Sequence, residues 1–307
     1  MAEPMSLLEK KLQAGHFVVC SELGPPIGAN VEFIRKKARK LVGYVDGVNV
    51  TDNQTAIVRM SSIVAAHFAR EEGLEMIIQA TTRDRNRIGL QSDILGASSL
   101  GLNNVLCLTG DHQSFGMDPG SKNVFDLDSV QLIRAVHDMV HEGVLLNGKT
   151  MKVPPRMFIG AAANPFGDPF ALQMLKVEKK LEAGAQFIQT QAIYNLEKFE
   201  YWMEEVRKRG IHERAYIMAG ILPAKSVKAL RMMKTDVAGM DVPDELIERM
   251  EKCEDPEEEG VRVAIEIIER VRKIEGVRGI HLMPVGWEKI TPEIIERAGL
   301  YPRPEVE

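Results

Sequence analysis

The sequence predicts an α/β protein, a single (β/α)8 TIM barrel that occupies residues 1 to 307. Eight short runs rich in apolar and β-branched residues recur along the chain, and segments of helical periodicity separate them. Most of these runs are almost continuously apolar, which is typical of parallel strands buried on both faces. Eight successive strand-then-helix units are the number that closes such a barrel.

The eight predicted strands cover residues 17 to 23, 47 to 53, 75 to 82, 103 to 110, 157 to 165, 186 to 194, 215 to 223 and 279 to 286. Predicted helices fill the gaps, for example VEFIRKKARKLVG at 31 to 43 and MLKVEKKLEAGA at 174 to 185. Each of these two segments ends near a glycine, the residue that most readily terminates a helix in the left-handed conformation.

Two insertions interrupt this rhythm. Residues 111 to 127, which follow the fourth strand, are polar and rich in turn formers. A connection of this length in a compact fold is usually a functional loop or a disordered one. Residues 243 to 276 form a strongly charged helical pair interrupted by CEDPEEEG. We interpret this second segment as a solvated surface rather than a binding patch.

The composition, 45% hydrophobic and 27% charged, is that of an ordinary soluble chain. The net charge of -5 provides no electrostatic attraction to nucleic acid or to anionic membranes. The first fifteen residues are amphipathic and contain no apolar stretch long enough for a signal peptide or a membrane span. We therefore expect a cytoplasmic protein that binds no nucleic acid and has no membrane span.

The cysteines and histidines argue against a metal centre in this chain. Cys20, Cys107 and Cys253 are far apart in sequence, and we expect reduced thiols, two of them packed in strands. An iron-sulfur cluster needs about four cysteine ligands, so the chain by itself cannot hold one. His137 and His141 have helical spacing but no third ligand nearby, so no metal site is expected. Fingerprints of serine hydrolases and P-loop enzymes are also absent from the sequence.

Polar residues follow six of the eight predicted strands. In a parallel barrel the carboxyl ends of the strands form the mouth, where these enzymes carry their chemistry. The residues are Ser21 and Glu22, Thr51 to Gln54, Gln79 with Thr81 and Arg83 to Arg85, Thr109 to His112, Asn164 and Asp168, and Gln191 with Tyr194. The last two strands contribute mostly glycine, proline and Trp287. The polar groups are therefore expected to converge on one rim.

Glu22 is the strongest candidate for proton transfer. It lies in an apolar strand just before Gly24, and burial there raises the pKa of a carboxyl towards neutrality, as a general acid requires. The alternative is a structural glutamate in a salt bridge with Arg59 or Arg83.

Three other features suit ligand binding, and each has a plain alternative. Asp111 follows a Thr-Gly pair that permits close approach of a flat or phosphorylated ligand, but a simple turn explains the same residues. The segment TTRDRNR at 81 to 87 places arginines where they can anchor phosphate, or where they form a surface ion-pair network. Gln191 presents an amide suited to a heteroaromatic edge, although a satisfied core glutamine is the default.

Taken together and in order, seven motifs resemble the methylenetetrahydrofolate reductase family along nearly the whole chain. They are SELGPP, VNVTDN, QATTRDRN, LTGDHQ, AAANPFGDP, LEAGAQFIQTQAIYN and AGILP. The fourth motif in its longer form, LCLTGDHQ followed by NVFDLDSV, is most similar to the acetogen-type subgroup.

The resemblance implies a flavin that lies across the barrel mouth and a folate stacked on its face. Glu22 matches the family's general acid, which protonates the bridging nitrogen of methylenetetrahydrofolate and opens it to an iminium ion. Reduced flavin then transfers hydride from N5, producing 5-methyltetrahydrofolate. Asp111 matches a catalytic aspartate near the flavin pyrimidine edge, which influences the electronics of the ring and binds the pterin. Gln191 matches a glutamine that contacts the folate.

The resemblance also assigns flavin contacts, at Thr51, Gln79, Gly110, Phe125, Asn164, Asp168 and Lys180. Departures leave the choice between FAD and FMN open. The better-known bacterial enzymes have arginine at the position of Thr109 and histidine at the positions of Gln79 and Asp168. Arg83 or Arg85 can compensate as phosphate ligands. Near the eighth strand, the family's arginine is replaced within residues 283 to 287.

The resemblance also concerns partners. Acetogen-type enzymes commonly work with a partner subunit that contains zinc and iron-sulfur clusters. Such a partner would relay electrons to this chain in place of direct reduction by NADH, within a homo- or hetero-oligomer. Two other functions compete with the reductase: a pterin-binding methyltransferase barrel, and a non-catalytic assembly subunit that has lost its flavin.

Overall fold

The computed structural model describes residues 3–237 and 239–306 and contains a closed barrel in which β1 to β8 pair in sequence order. All eight pairings are parallel. The strands are β1 Val18–Leu23, β2 Gly47–Val50, β3 Met76–Thr81, β4 Asn104–Leu108, β5 Phe158–Ala163, β6 Phe187–Ala192, β7 Tyr216–Ile221 and β8 Val277–Leu282. The predicted fold class is confirmed.

Helices surround the barrel and pack apolar side chains against its outer face. They are α1 Leu7–Gln13, α2 Val31–Arg39, α3 Ser62–Arg70, α4 Arg87–Ser99, α5 Ser129–His137, α6 Phe170–Glu182, α7 Leu196–Lys208, α8 Ile211–Arg214, α9 Val227–Asp236, α10 Asp244–Lys252, α11 Pro256–Val271 and α12 Thr291–Arg297. Among the described residues, no helix combines the length and the apolar character that crossing a membrane requires.

Each predicted run overlaps one strand, and in several runs the polar end lies in the following loop, whereas Glu22, Gln79 and Gln191 lie within β1, β3 and β6. The run at 47 to 53, for example, becomes a strand that ends at Val50. Asp52 turns away to accept a hydrogen bond from the main-chain N–H of Thr81, and Asn53 adopts a left-handed conformation with φ of 45°. These polar side chains therefore leave the sheet at the mouth and bind neighbouring loops.

The lower half of the barrel is a sealed apolar core. Helix α1 crosses the bottom, where Leu8 and Leu12 pack with the inward-facing Phe158 and Phe187. The two phenylalanine rings lie 4.9 Å apart between centroids. Side chains therefore fill the interior of the barrel at this end.

The two insertions have different structures. The loop after β4 returns to the rim, where the N–H of Val124 donates to the carbonyl oxygen of Arg83 over 2.7 Å. The charged C-terminal segment forms α10 and α11, and ion pairs such as those of Arg249 with Glu259 and Glu266 connect them. These contacts agree with a solvated, ion-paired surface.

Candidate active site

A cavity of about 430 Å³ opens at the mouth, where β2 to β6 end. This volume lies within the range of about 300–1,000 Å³ that is usual for small-molecule sites. Seven of the residues predicted to bind ligands line it: Gln79, Arg83, Thr109, Gly110, Asp111, Lys180 and Gln191. The structure therefore brings together polar groups that are up to 112 positions apart in sequence, from Gln79 to Gln191.

Glu22 lies on β1 and points into the barrel, with its side chain 12% exposed. Burial raises the pKa of Glu22 to about 7, and the negative charge of Glu288 adds to the effect. A carboxyl with this pKa is protonated in a large fraction of molecules near neutral pH. It can therefore give up a proton there, as a general acid must.

The proposed salt-bridge alternative for Glu22 does not match the structure. Arg59 donates instead to the carbonyl oxygen of Pro25 over 2.9 Å, and Arg83 binds Asp84 over 2.7 Å. The basic side chain that does lie close to Glu22 is the imidazole of His281. Its Nε2 is 3.9 Å from Glu22 Oε2. Burial lowers the pKa of His281 to about 3, so this imidazole is neutral.

His281 was not among the predicted site residues, because the last two strands were expected to contribute mostly glycine, proline and Trp287. The signal was present in the alternation of β8, since His281 occupies an inward position within an apolar run. Trp287 is instead buried, and Lys225 lies over its ring at 5.3 Å from the centroid.

Arg83 braces the rim from a buried position. Its guanidinium donates to the carbonyl oxygen of Asn53 over 3.0 Å and to that of Asp111 over 3.1 Å. It also forms an ion pair with Asp84, which raises the pKa of Arg83. One side chain thus connects the loops that follow β2, β3 and β4.

The other arginines of the TTRDRNR segment are also committed to carboxylates. Arg85 binds both Asp52 and Asp93, and Arg87 forms a two-pronged pair with Asp126. Of the two interpretations of this segment, the ion-pair network describes the contacts present. If Arg85 bound a phosphate group, its guanidinium would have to contact both the phosphate and Asp52.

Gly110 brings the chain close to the neighbouring loop. Its φ is +87°, and a Cβ there would come within 3.2 Å of Thr81 Cβ and 3.3 Å of Arg83 Cβ. The backbone conformation therefore favours glycine, and a Cβ would also require the neighbouring side chains to move by a few tenths of an ångström. The carboxylate of Asp111, which follows, is exposed in the cavity.

Lys180 reaches the cavity from α6 beneath the end of β5. Its Nζ donates to the carbonyl oxygen of Ala162 over 2.6 Å, and burial lowers its pKa. The half-buried amide of Gln191 lies across the cavity at the end of β6. Thr51 is buried, and its Oγ1 has no hydrogen-bond partner among the described residues.

The family model described as methylenetetrahydrofolate reductase matches residues 7–299, almost the whole chain. The chain belongs to the methylenetetrahydrofolate reductase family.

Relatives within this family are distant. A probable methylenetetrahydrofolate reductase (NADPH) of Caenorhabditis elegans is 24% identical over 252 residues, which cover 80% of this chain and 35% of that protein. Methylenetetrahydrofolate reductase 1 of Schizosaccharomyces pombe is 31% identical over 150 residues, 46% of this chain and 24% of that protein. The chain thus spans about a third of the length of the curated relatives it matches, or less.

Similarity to solved structures supports the same architecture. A Clostridium thermocellum protein described as binding two copies of 5-methyl-5,6,7,8-tetrahydrofolic acid superposes with a TM-score of 0.66 at 16% identity. The match covers 95% of this chain and 97% of that one. At this identity the likeness establishes the shared fold.

Four positions that the family resemblance assigned to flavin contacts are not among the residues that line the cavity: Thr51, Phe125, Asn164 and Asp168. Phe125 adopts a left-handed conformation with φ of 41° in the loop after β4. Asn164 caps its own loop by accepting from the N–H of Phe166 over 3.0 Å, and Asp168 is exposed at the start of α6. All four follow the ends of strands at the mouth of the barrel.

Cys20, Cys253 and the histidine pair are not among the residues that line the cavity, whereas Cys107 lines it next to Leu108. Cys20 and Cys107 are buried on β1 and β4, as expected of packed thiols, and Cys253 follows α10. The rings of His137 and His141 lie 4.7 Å apart between centroids, on the outside of the barrel near α6. Within residues 3–237 and 239–306, no group of three or more metal-ligating side chains occurs.

Proposed function

We propose that this chain reduces 5,10-methylenetetrahydrofolate to 5-methyltetrahydrofolate in a flavin-dependent reaction, with Glu22 as the general acid. The observation that carries the proposal is the Glu22 carboxyl. It occupies an inward position of β1 with a pKa of about 7, and Asp111 and Gln191 line the cavity at the mouth of the same barrel. Family membership supplies the reaction class.

The rim has the features that a bound flavin needs. The buried Oγ1 of Thr51 has no partner in the described chain, so it is available to a ligand. Gly110 and Ala162 line the cavity without a bulky side chain, which leaves room for a planar ring system. Lys180 and the neighbouring main-chain groups can hold phosphate or ribityl oxygens, and Gln79 lines the floor. The remaining proposed contacts are Phe125, Asn164, Asp168 and Thr109. Arg83 and Arg85 support the rim through their ion pairs and hydrogen bonds.

The choice between FAD and FMN follows from the arginines. Arg83 and Arg85 are held in ion pairs, so the rim offers little free positive charge for a second phosphate. This arrangement favours a cofactor with one phosphate near Lys180, and we therefore propose FMN. Extraction of the cofactor and chromatography against FAD and FMN standards tests the assignment.

Within this proposal each residue has a defined task. Bound reduced flavin supplies the hydride. Asp111 and Gln191 orient the pterin from opposite sides of the cavity. Glu22 donates its proton to the bridging nitrogen of the folate, which opens the five-membered ring to an iminium ion able to accept hydride. The carboxylate that remains must regain a proton from solvent before the next turnover.

Electron supply is a separate proposal. The cysteines lie too far apart in the fold to share a cluster, because Cys20 and Cys107 are buried on β1 and β4 and Cys253 follows α10. We propose that a partner subunit with zinc and iron-sulfur clusters delivers the electrons. Flavin reduction by NADH that proceeds at full rate in the isolated chain would contradict this.

The decisive experiment is anaerobic mixing of the dithionite-reduced protein with methylenetetrahydrofolate. Reappearance of oxidised flavin absorbance, with 5-methyltetrahydrofolate formed in equal amount, is the expected result. Bound flavin that stays reduced would refute the folate half-reaction. Failure to bind flavin after reconstitution would favour the methyltransferase or the assembly subunit instead.

A further inference from the structure

The interior of the barrel contains polar side chains directly beneath Glu22. In a closed eight-stranded barrel each interior layer takes one inward residue from each of four alternate strands, and bulky branched residues usually fill these layers. The strand registers place four residues from β2, β4, β6 and β8 in one layer: Asn49, Leu106, Gln189 and His281. Three members of this layer are polar.

The same registers place Glu22 in the layer immediately above. Glu22 pairs with Asn49 across the β1 and β2 register, and His281 pairs with Cys20, two residues before Glu22. The other members of the upper layer are Gln79, Ala162 and Gly220, of which two are small. At Gly220 a Cβ would come within 2.4 Å of the carbonyl oxygen of Thr190, so no side chain fills that place.

The polar layer is buried but incompletely hydrogen-bonded. Asn49, Gln189 and His281 are each at most 4% exposed. Asn49 Oδ1, Gln189 Oε1 and His281 Nε2 have no hydrogen-bond partner in the described part of the chain. Leaving a buried polar atom unpaired costs about 1–3 kcal/mol, so three in one layer require an explanation.

We propose that Asn49, Gln189 and His281 bind water beneath Glu22, and that the His281 imidazole positions the Glu22 carboxyl. The site is suited to water, because a buried water needs roughly two to four polar partners and this layer provides three from different strands. His281 Nε2 is 3.9 Å from Glu22 Oε2, so a shift of about 1 Å forms a direct hydrogen bond. The inference rests on the proposed role of Glu22 as the acid.

The function of the layer is to keep Glu22 able to exchange its proton. After Glu22 protonates the folate, its carboxylate is left in a buried site. Water held by the layer stabilises that charge and passes on a proton; each water molecule gives one proton and receives one, so only a solvent proton is consumed. His281 stays neutral throughout, because burial holds its pKa near 3.

Few charged groups face this pair. Glu288, in the loop after β8, raises the pKa of Glu22 by its negative charge, and Lys37 of α2 binds Glu288 over 2.5 Å. The thiol of Cys20 lies below, and burial raises its pKa, so it remains neutral. The protonation of Glu22 therefore depends first on its burial, and then on Glu288 and on the polar layer.

The test is an infrared titration of the full-length protein. The C=O stretch of the protonated Glu22 carboxyl is identified by its loss in Glu22→Gln, and its midpoint is compared between wild type and His281→Leu. Loss of the imidazole and its water leaves the carboxylate less stabilised, so the midpoint is expected to rise by about one pH unit or more. His281→Gln, which keeps a polar side chain, should restore it. Leu106→Val changes the fourth member of the layer and should leave it unchanged.

A midpoint that is unchanged or lower in His281→Leu overturns the proposal, as does an equal shift in Leu106→Val. If His281→Leu does not fold, His281→Gln and Gln189→Leu are compared with wild type. The Glu22 midpoint should then rise in Gln189→Leu and stay unchanged in His281→Gln. A crystal structure provides a second readout, in which the layer should hold water within hydrogen-bond distance of at least two of its polar atoms. Both measurements need no turnover, so a missing folate half-reaction would refute the proposed function separately.

Discussion

Replacing Glu22 by Gln should abolish folate reduction. It should also remove the loss of folding stability that the buried Glu22 carboxylate causes as pH rises. Glutamine keeps the shape of the side chain but cannot act as an acid. Flavin binding should persist, because no proposed flavin contact changes. Rates of the folate half-reaction should fall by several orders of magnitude, on the order of 10²–10⁴ or more, as expected when a general acid is lost.

The magnitude follows from the raised pKa. At pH 7 a glutamate with the ordinary pKa of 4.5 is protonated in about 0.3% of molecules, whereas a pKa of about 7 gives about one half. The environment of Glu22 therefore increases the available acid roughly 150-fold. Above pH 7 the folate half-reaction should slow tenfold for each further pH unit, because only the protonated form reacts.

The same shift has a consequence for folding. Between pH 4.5 and about 7 the folded protein holds a proton on Glu22 that the unfolded chain has released. Stability should therefore fall as pH rises through this window, by about 3 kcal/mol for about 2.5 pKa units. The free energy of unfolding of Glu22→Gln minus that of wild type should therefore be about 3 kcal/mol larger at pH 8 than at pH 4.5.

Stopped-flow spectra of the folate half-reaction and urea denaturation at both pH values measure these effects. Glu75→Gln is the matched control, because burial also raises the pKa of Glu75 but its partner is Asn104, at the opposite end of the barrel. Near-normal folate reduction by Glu22→Gln would remove Glu22 from the mechanism. A difference in stability that does not change with pH would refute the assigned pKa.

Three further predictions concern the rim and the core. Arg83→Gln should weaken flavin binding at least tenfold, because it removes the brace between three loops; an unchanged dissociation constant in a fluorescence titration would count against that role. Asp111→Asn should weaken folate binding by about 1–2 kcal/mol and leave the bound flavin in place; equal folate affinity by calorimetry would exclude the contact. Phe158→Ala should destabilise the barrel by about 3–5 kcal/mol without changing the flavin spectrum, and a loss below 1 kcal/mol in urea would mean that the lower core is not closely packed.

The arginine segment marks where sequence reasoning reaches its limit. The residues of TTRDRNR indicate that positive charge lies at the third strand's end, and the structure places it there. Whether Arg83 and Arg85 meet a ligand or a carboxylate depends on Asp52, Asp84 and Asp93, which come to the same place only after folding. The spacing of residues within one segment does not indicate which distant carboxylates will pair with its arginines.

His281 illustrates the same limit. A histidine in an apolar strand is visible in the sequence, but its neighbour Glu22 is 259 positions away and meets it only because β8 closes the barrel against β1. The layer formed with Asn49 and Gln189 depends on the register of every intervening strand.

The sequence by itself determined the fold class, the position of each strand and the rim on which polar residues gather. It could do so because local periodicity reports which residues are buried, and because parallel strands all end at one face. Only the tertiary structure decided which of those polar groups are occupied by ion pairs, which remain free for a ligand, and what lies beneath Glu22. Those outcomes depend on contacts between distant strands, where burial and charge act through space and not along the chain.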